Sequence, residues 1–397
     1  MSDWQLELDE HIDGIAGRLS AIRRHLHAHP EPSGEEFETT RYLAELLREQ
    51  GFDVRIPETG RGLVAEPGSQ PSDRRIAFRG DIDALKLRDE KQVEYRSTID
   101  GVTHACGHDS HATIVVATAL ALDACKDALP WPVPWRAIFQ PAEETSTGAQ
   151  EMVDSGAMQD VRSIVALHVD PERHIGRIGY RHGTMTAFCD EIDVWVRGEG
   201  GHAARPHHSV DSIAAACQFI SAVHQFVPRA IDSRQAVVIT FGSIHGGSAQ
   251  NVIPEEVHIR GTARTHSHAA TSKLEERIEE IADGISEATG AEIEVAFKRG
   301  PEAVVNDDTV TDAVIEAATA LLGAEALETI DEPSMGGEDF AEYLGHAPGC
   351  LFRLGVSQNP AKASFLHSPR FDLDEEALAI GAKLMTRAVI LLARTQD

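Results

Sequence analysis

The sequence predicts an α/β protein: a mostly parallel mixed sheet flanked by helices, interrupted by an inserted α+β domain of ferredoxin-like order. Three observations predict this. Strand-like and helix-like apolar segments alternate through residues 75–168 and resume after residue 309, the rhythm of parallel strands joined by crossover helices. Between residues 187 and 299 the order becomes strand, helix, strand, strand, helix, strand, which is that of a ferredoxin-like unit. A chain of 397 residues also exceeds one ordinary core, so two domains, or one carrying a large insertion, are expected. One domain is therefore drawn from both chain ends, 1–186 and 300–397, and the other from 187–299.

The elements are expected in the following order. Leu6, Ile12, Ile15, Leu19, Ile22 and Leu26 recur at helical spacing, which predicts one amphipathic helix over 4–28, stopped by Pro30 and Pro32. A second helix over 35–50 ends at Gly51, where glycine is the usual punctuation. Residues 75–79 predict a strand that delivers Gly80, Asp81 and Asp83 to a loop. A helix over 113–124, a buried strand over 135–139, a helix over 148–155 and a strand over 164–167 closing on His168 come next. The insertion supplies strand 191–197, helix 210–226, strands 236–244 and 257–265, helix 269–289 and strand 292–298. A helix over 309–322, a loop at 335–339, a strand over 350–354 and a closing helix over 375–394 complete the chain. The polar residues of interest fall just past strand C-termini, where open α/β sheets place their sites.

Composition removes several function classes. Acidic residues number 64 against 36 basic, for a net charge of −28, which repels nucleic acid and anionic membrane. Only seven of the basic residues are lysine, and the acidic surplus also suits a high-salt host. No uncharged apolar run reaches the length of a membrane span, and the N-terminal MSDWQLE lacks the basic-then-apolar layout of a signal peptide. Five cysteines, at 106, 125, 189, 217 and 350, are odd in number and never paired at zinc-finger spacing, as in a reducing compartment. A cytoplasmic protein that binds neither nucleic acid nor membrane is expected.

The stretch THACGHDSH at 103–111 packs three imidazoles, a thiol and a carboxylate into a few residues. Cys106 and His108 can face one ion if the segment is extended, because alternate side chains then point the same way. Gly107 removes a side chain that would crowd the ion. Glu143 and Glu144 follow a strand and a proline, and neighbours in an extended chain point opposite ways. Glu144 can therefore hold metal while Glu143 faces the substrate as a general base. His168 and His367 are polar tips on apolar segments. Taken singly, the glutamate pair suits a solvated surface and each histidine a core or loop position. Taken together, Cys106, His108, Glu144, His168 and His367 supply a sulfur, three ring nitrogens and a carboxylate. That set suits two borderline divalent ions (zinc, manganese, cobalt or nickel) better than one.

In the segments RHLHAHPEP (24–32), RGDIDAL (79–85), HACGHD (104–109), FQPAEE (139–144), GHAARPH (201–207), QNVIP (250–254), GTAR (261–264) and GEDF (337–340), the chain resembles a known superfamily. It is that of the aminoacylase and carboxypeptidase G two-metal hydrolases, in the branch of hippurate hydrolase and indole-3-acetyl-amino-acid hydrolase. The resemblance implies a phosphorylase/hydrolase-like catalytic domain with an inserted lid and dimerisation domain. It implies that Cys106 stands where other branches have a bridging aspartate, with His108 and Glu144 on one ion's side, His168 and His367 completing the pair, and Glu143 as base. Asp81 occupies the position of a metal-binding histidine in other branches and is left out of the ligand set, while Asp83 supports the site from behind the ligands. His202 is implied to polarise the scissile carbonyl oxygen, often from the neighbouring subunit. Asn251 and Arg264 are implied to grip the substrate carboxylate. A homodimer, or a homotetramer, formed through the inserted domain is implied as well. Lys86, where a proline is usual, and Thr145 and Ser146, where a glycine is usual, depart from the family pattern near the ligands.

The expected activity is metal-dependent hydrolysis of an N-acyl amino acid, with an acetyl, benzoyl or similar acyl group, to a carboxylic acid and an amino acid. A dipeptidase or carboxypeptidase with the same site competes with that reading. So does a metal-dependent small-molecule binding protein without turnover, against which Glu143 weighs, since pure binding needs no base.

Overall fold

The computed structural model describes residues 3–68 and 74–394; Met1 and Ser2, where the N-terminal layout was read, lie outside the described residues. The chain divides into two compact units. One comprises Met1–Met185, Val304–Glu332 and Asp339–Asp397, the other Thr186–Ala303 and Pro333–Glu338. The loop at 333–338, drawn by sequence with the larger domain, belongs to the second unit.

The larger unit is built on an eight-stranded sheet in the order Asp53–Arg55, Leu63–Glu66, Trp135–Gln140, Arg75–Asp81, Val161–His174, Gly349–Ser357, Ile178–Tyr180, Leu327–Thr329. Its four central strands run parallel to one another, and antiparallel neighbours flank them. Trp135–Gln140 is buried at every position and Arg75–Asp81 at all but the first, as parallel strands covered on both faces must be. The helix His108–Ala124 is buried at every residue from His108 to Leu122, as its apolar run from Ile114 onward demands, while the polar residues of its first turn are buried with partners such as Arg23 and Asp81. It packs with the closing helix Glu376–Ala393 in the main core.

The second unit carries a four-stranded antiparallel sheet in the order Val237–Gly246, Glu256–Thr265, Phe188–Arg197, Glu292–Arg299. In chain order that is second, third, first, fourth, the ferredoxin-like arrangement. The helices Ser212–Ala230 and His268–Thr289 pack against it through Phe219, Val223, Leu274 and Ile278. Each begins on a capping side chain: Asp211 accepts from the Ala214 N–H and Ser267 from the Ala270 N–H.

Three expected elements differ. The helix over 4–28 is two helices, Asp3–Gly14 and Ala16–Ala28, broken where Ile15 leaves helical geometry at φ −101°, ψ 2°. Gly14 and Gly17 flank the break, and each costs a helix about 1 kcal/mol relative to alanine. The apolar phase does not run through it: Leu8 is buried, whereas Leu6 is 46% exposed. The helix expected to start at 113 starts at His108, because its first turn is the polar run His108–His111, which precedes the apolar stretch that marks the helix. The strand over 164–167 extends as Val161–His174, so His168 lies within a strand rather than past its end.

Close approach of the buried helix to the sheet depends on Gly80. A Cβ there would lie 2.8 Å from the His111 carbonyl oxygen and 2.9 Å from Val115 Cγ2. Gly80→Ala should therefore lower stability by about 1–3 kcal/mol, read as a lower urea midpoint at unchanged slope. An unshifted midpoint would show that the helix is not pressed against the strand at this point.

Candidate metal centre

Gly107 sets the local geometry. It adopts φ +86° and caps the helix that begins at His108, and a Cβ on it would lie 2.4 Å from Val169 Cγ2. Cys106 and His108 thus converge through a left-handed turn into a helix, not through alternation along an extended segment. The glycine is needed for that turn and for the close approach of Val169.

Candidate ligand atoms of Cys106, His108 and His168 lie within 4.8 Å of one another; so do those of Cys106, Glu144 and His367, and those of His108, Glu143 and Glu144. The five residues singled out as ligands, with Glu143, are brought together from four separate chain segments. Cys106 belongs to two of the groups. The resemblance implied His108 and Glu144 on one ion's side, and they share a group with Glu143, while the groups that share Cys106 join His108 to His168 and Glu144 to His367. His367 is held in the left-handed region at φ +62°, a conformation that costs a non-glycine residue about 1–2 kcal/mol. Its N–H donates to the Ala105 carbonyl at 2.8 Å, which ties it to the Cys106 loop. Its Nε2 lies 3.4 Å from Glu144 Oε1.

The imidazoles are oriented from behind. His108 Nδ1 lies 3.0 Å from both the Asp83 carbonyl and Asp83 Oδ1, so Nδ1 carries the proton and Nε2 faces the cluster. Asp83 Oδ2 accepts from the Ser33 hydroxyl at 2.7 Å and the Glu144 N–H at 3.0 Å, so one carboxylate steadies two of the candidate ligands. His168 Nδ1 donates to the Val169 carbonyl at 2.8 Å, which leaves Nε2 as a lone pair 3.4 Å from Cys106 Sγ. A histidine aimed this way presents the tautomer that binds metal.

Electrostatics agree. Burial raises the Cys106 thiol above its usual range against the pull of His108. Burial alone would expel charge from His108, but Asp81, Cys106 and Asp83 outweigh it and raise its pKa. The His367 pKa is raised by its contact with Glu144, whereas burial, then Arg353 and His111, lower that of His168. Among the described residues His108 Nε2 is buried without a hydrogen-bond partner, and Glu144 Oε1 is buried with only its 3.4 Å contact to His367 Nε2, an arrangement that costs about 1–3 kcal/mol per unsatisfied group unless something else satisfies it. A divalent cation would satisfy both, and the sulfur, nitrogen and oxygen donors around them fit zinc or its neighbours.

Sequence reasoning missed two buried networks behind the cluster. Arg79 donates to Asp81, Gln140 and Asp339 at 2.7, 2.8 and 3.1 Å; Asp81 in turn accepts from His111 at 2.6 Å. The second joins Arg23 and His27 to Asp109 at 2.9 and 2.6 Å. It continues from His27 to Asp89, 3.3 Å away, and to Lys91. The available signal was the presence of charged residues inside otherwise apolar strands and helices, as in RIAFRGD, because a buried charge must be paired. Of the departures from the family pattern, Ser146 adopts φ +53°, which accounts for the usual glycine there. Lys86 makes only an exposed 3.4 Å ion pair with Glu35.

Within the second unit, His202 lies on the short strand Gly201–His202, paired with Val252–Ile253. Its Nδ1 accepts from the Ala204 N–H at 3.1 Å, so Nε2 carries the proton. Asn251 meets the same ribbon through its carbonyl, which accepts from the Ala203 N–H at 3.1 Å. Arg264 lies on the four-stranded sheet opposite Val238 and Cys189, with its guanidinium donating to the Ala263 carbonyl at 3.0 Å.

Residues 77–390 match the family model of Peptidase family M20/M25/M40. The chain is 36% identical over 379 residues to the N-acetylcysteine deacetylase of Bacillus subtilis, covering 95% of this chain and 97% of that one. It is 34% identical over 386 residues to thermostable carboxypeptidase 2 of Saccharolobus solfataricus, covering 95% of each. Among solved structures it is similar to the Bacillus subtilis YXEP protein, a dinuclear metal binding peptidase from the M20 family. The TM-score is 0.82 at 32% identity, covering 95% of this chain and 98% of that one.

The second buried network carries a pH dependence. Burial works against the Asp89 carboxylate, but His27, the N–H groups of Lys91 and Ser97, and the Lys91 charge outweigh it and hold its pKa below the usual range. A carboxylate depressed on folding stabilises the folded state above its unfolded pKa of about 3.9, and that contribution is lost as pH falls through the folded value. The stability difference between wild type and Asp89→Asn, measured by urea unfolding, should shrink as pH falls below about 4. A difference that stays constant down to pH 2 would contradict this assignment.

Proposed function

Because the chain belongs to Peptidase family M20/M25/M40, and is thereby a metal-dependent amidohydrolase, we propose that it cleaves the amide bond of N-acyl amino acids. The products are a carboxylic acid and a free amino acid. The observation that carries the reading is the pair Glu143 and Glu144: one carboxylate lies with Cys106 and His367, and the other has Oε2 3.9 Å from His108 Nε2 without belonging to either group that shares Cys106. In this reading Glu144 is the ligand and Glu143 the acid beside it. The deacetylase activity named for the Bacillus subtilis relative supports an acyl amino acid substrate.

In this reading two divalent ions, one with Cys106, His108 and His168 and the other with Cys106, Glu144 and His367, supply Lewis acidity and lower the pKa of water when bound. The dinuclear site named for the YXEP protein supports that number; zinc, manganese, cobalt and nickel all suit the donors. Glu143 takes a proton from water as it attacks the carbonyl carbon, then gives it to the amine nitrogen as the amide bond breaks. His202, protonated at Nε2, donates to the carbonyl oxygen as negative charge develops there. Asn251 and Arg264 receive the substrate carboxylate, Arg264 through its two-pronged guanidinium. Asp83 positions His108 and the Glu144 backbone. A second reading, cleavage of a dipeptide or a C-terminal residue by the same groups, is favoured by the identity to the Saccharolobus solfataricus carboxypeptidase.

The second unit is proposed as the lid and as the surface of a homodimer. Its edge strand Val237–Gly246 carries no charged residue, whereas the opposite edge, Glu292–Arg299, carries Glu292, Glu294, Lys298 and Arg299. An uncharged edge is a template for pairing with another strand. Among the described residues no helix is long and apolar enough to cross a membrane, and five free cysteines suit a reducing cytoplasm.

Glu143→Gln should keep bound metal and lose hydrolysis of acetyl and benzoyl amino acids by roughly 10²–10⁴-fold, while Cys106→Ala should lose both, measured by metal analysis and amine release. An unchanged rate for Glu143→Gln would remove the base. Faster release from dipeptides than from any N-acyl amino acid would shift the assignment to the second reading. The variant carrying both Val238→Lys and Ile244→Lys should sediment as a monomer and wild type as a dimer; a monomeric wild type would end the proposal of a paired edge.

A further inference from the structure

We infer that His111 is a positioning residue for the ion assigned to Cys106, His108 and His168, because it carries the hydrogen-bond chain that aims His168 at Cys106. The inference rests on the two-ion reading proposed above. It starts from an interruption in the sheet. The strand Arg75–Asp81 pairs with Val161–His174 only as far as Arg79 opposite Ala166, while the strand on the other side continues past Val169. Beyond that point the Val169 N–H donates to His111 Nε2 at 2.9 Å, so an imidazole accepts where the ladder has stopped.

The rest of the chain of bonds is then determined. Since Nε2 accepts, the His111 proton sits on Nδ1, which donates to Asp81 Oδ1 at 2.6 Å. The other Asp81 oxygen accepts from Arg79 Nη1 at 2.7 Å. On the far side of the same residue, the Val169 carbonyl accepts from His168 Nδ1 at 2.8 Å, and His168 Nε2 faces Cys106 Sγ at 3.4 Å. Val169 is therefore gripped at its N–H and its C=O by two imidazoles whose ring centres lie 4.7 Å apart. One looks back to a buried carboxylate and the other forward to the sulfur.

Packing holds the same residue. Val169 Cγ2 fills the space that a Cβ on Gly107 would take, and the His111 backbone fills that of a Cβ on Gly80. Arg79, Asp81, His111 and His168 are all buried, so water does not compete for these bonds. Asp81, His108 and His111 also place candidate ligand atoms within 4.8 Å of one another, which raises the alternative that His111 binds an ion itself. Both of its nitrogens are already committed, one to Asp81 and one to Val169, so it has no lone pair to give.

The test compares side chains of similar length. His111→Met and His111→Phe remove both hydrogen bonds, whereas His111→Gln keeps a carbonyl that can accept and an amide that can donate. Zinc is titrated into metal-free protein against a chromophoric chelator, and stepwise affinities are read without reference to activity. Wild type should hold two ions. His111→Met, or His111→Phe if the methionine variant does not fold, should weaken one of them by about 10–100-fold, the usual cost of losing a group that orients a ligand. His111→Gln should recover most of the loss. The loss should persist in a His367→Ala background, where, of the two groups that share Cys106, that of Cys106, His108 and His168 remains whole. Wild-type affinities for both ions in the Met or Phe variant, a Gln variant no better than either, or a loss that vanishes in the His367→Ala background would each overturn the inference. A wild-type chain that binds no zinc would instead overturn the two-ion reading, and this inference with it.

Discussion

The larger unit is arranged around one constraint, the delivery of a buried sulfur to a point where two sets of donors meet. Cys106 reaches that point only because Gly107 turns left-handed beneath it, and the turn is possible only because position 107 has no Cβ to strike Val169. His108 then starts a helix buried on every side, so its ring cannot swing away to solvent. His367 accepts an unfavourable backbone conformation to stay bonded to Ala105. Strain of this kind persists where surrounding contacts over-determine it, which is commonly at functional sites.

Charge follows from that convergence. Asp81, Asp83, Glu143 and Glu144 gather around His108. Burial alone would lower the pKa of the histidine, yet Asp81, Cys106 and Asp83 raise it, and burial raises that of the thiol beside it. Arg79 and Arg23 pair with Asp81 and Asp109 behind the ligands, compensating the carboxylates that would otherwise be buried without a partner.

Much of this was legible in the sequence, for a physical reason. A thiol, three imidazoles and a carboxylate are uncommon at strand ends and helix starts, and recognisable motifs surround each one. The order of strands and helices between 187 and 299 was equally legible, because amphipathic helices and alternating strands write their periods plainly. What stayed hidden depended on backbone conformation and long-range pairing. The helix beginning at His108 opens on a polar turn, His108–His111, so the apolar run placed its start five residues late. Its first turn needed the positive φ of Gly107, which composition does not reveal. Asp81 was left out of the ligand set and His111 was given no role; Asp81 bonds Arg79, two residues back on the same strand face, but no spacing rule connects His111 with Val169.

The central claim is that Cys106 is shared between two ions, and X-ray absorption at the zinc edge on protein loaded with zinc tests it most directly. With about two zinc ions per chain and a single shared thiolate, each ion should show on average about one sulfur neighbour near 2.3 Å. An average of about half a sulfur per zinc would mean that Cys106 serves one ion only, and no sulfur at all would contradict the account at its root.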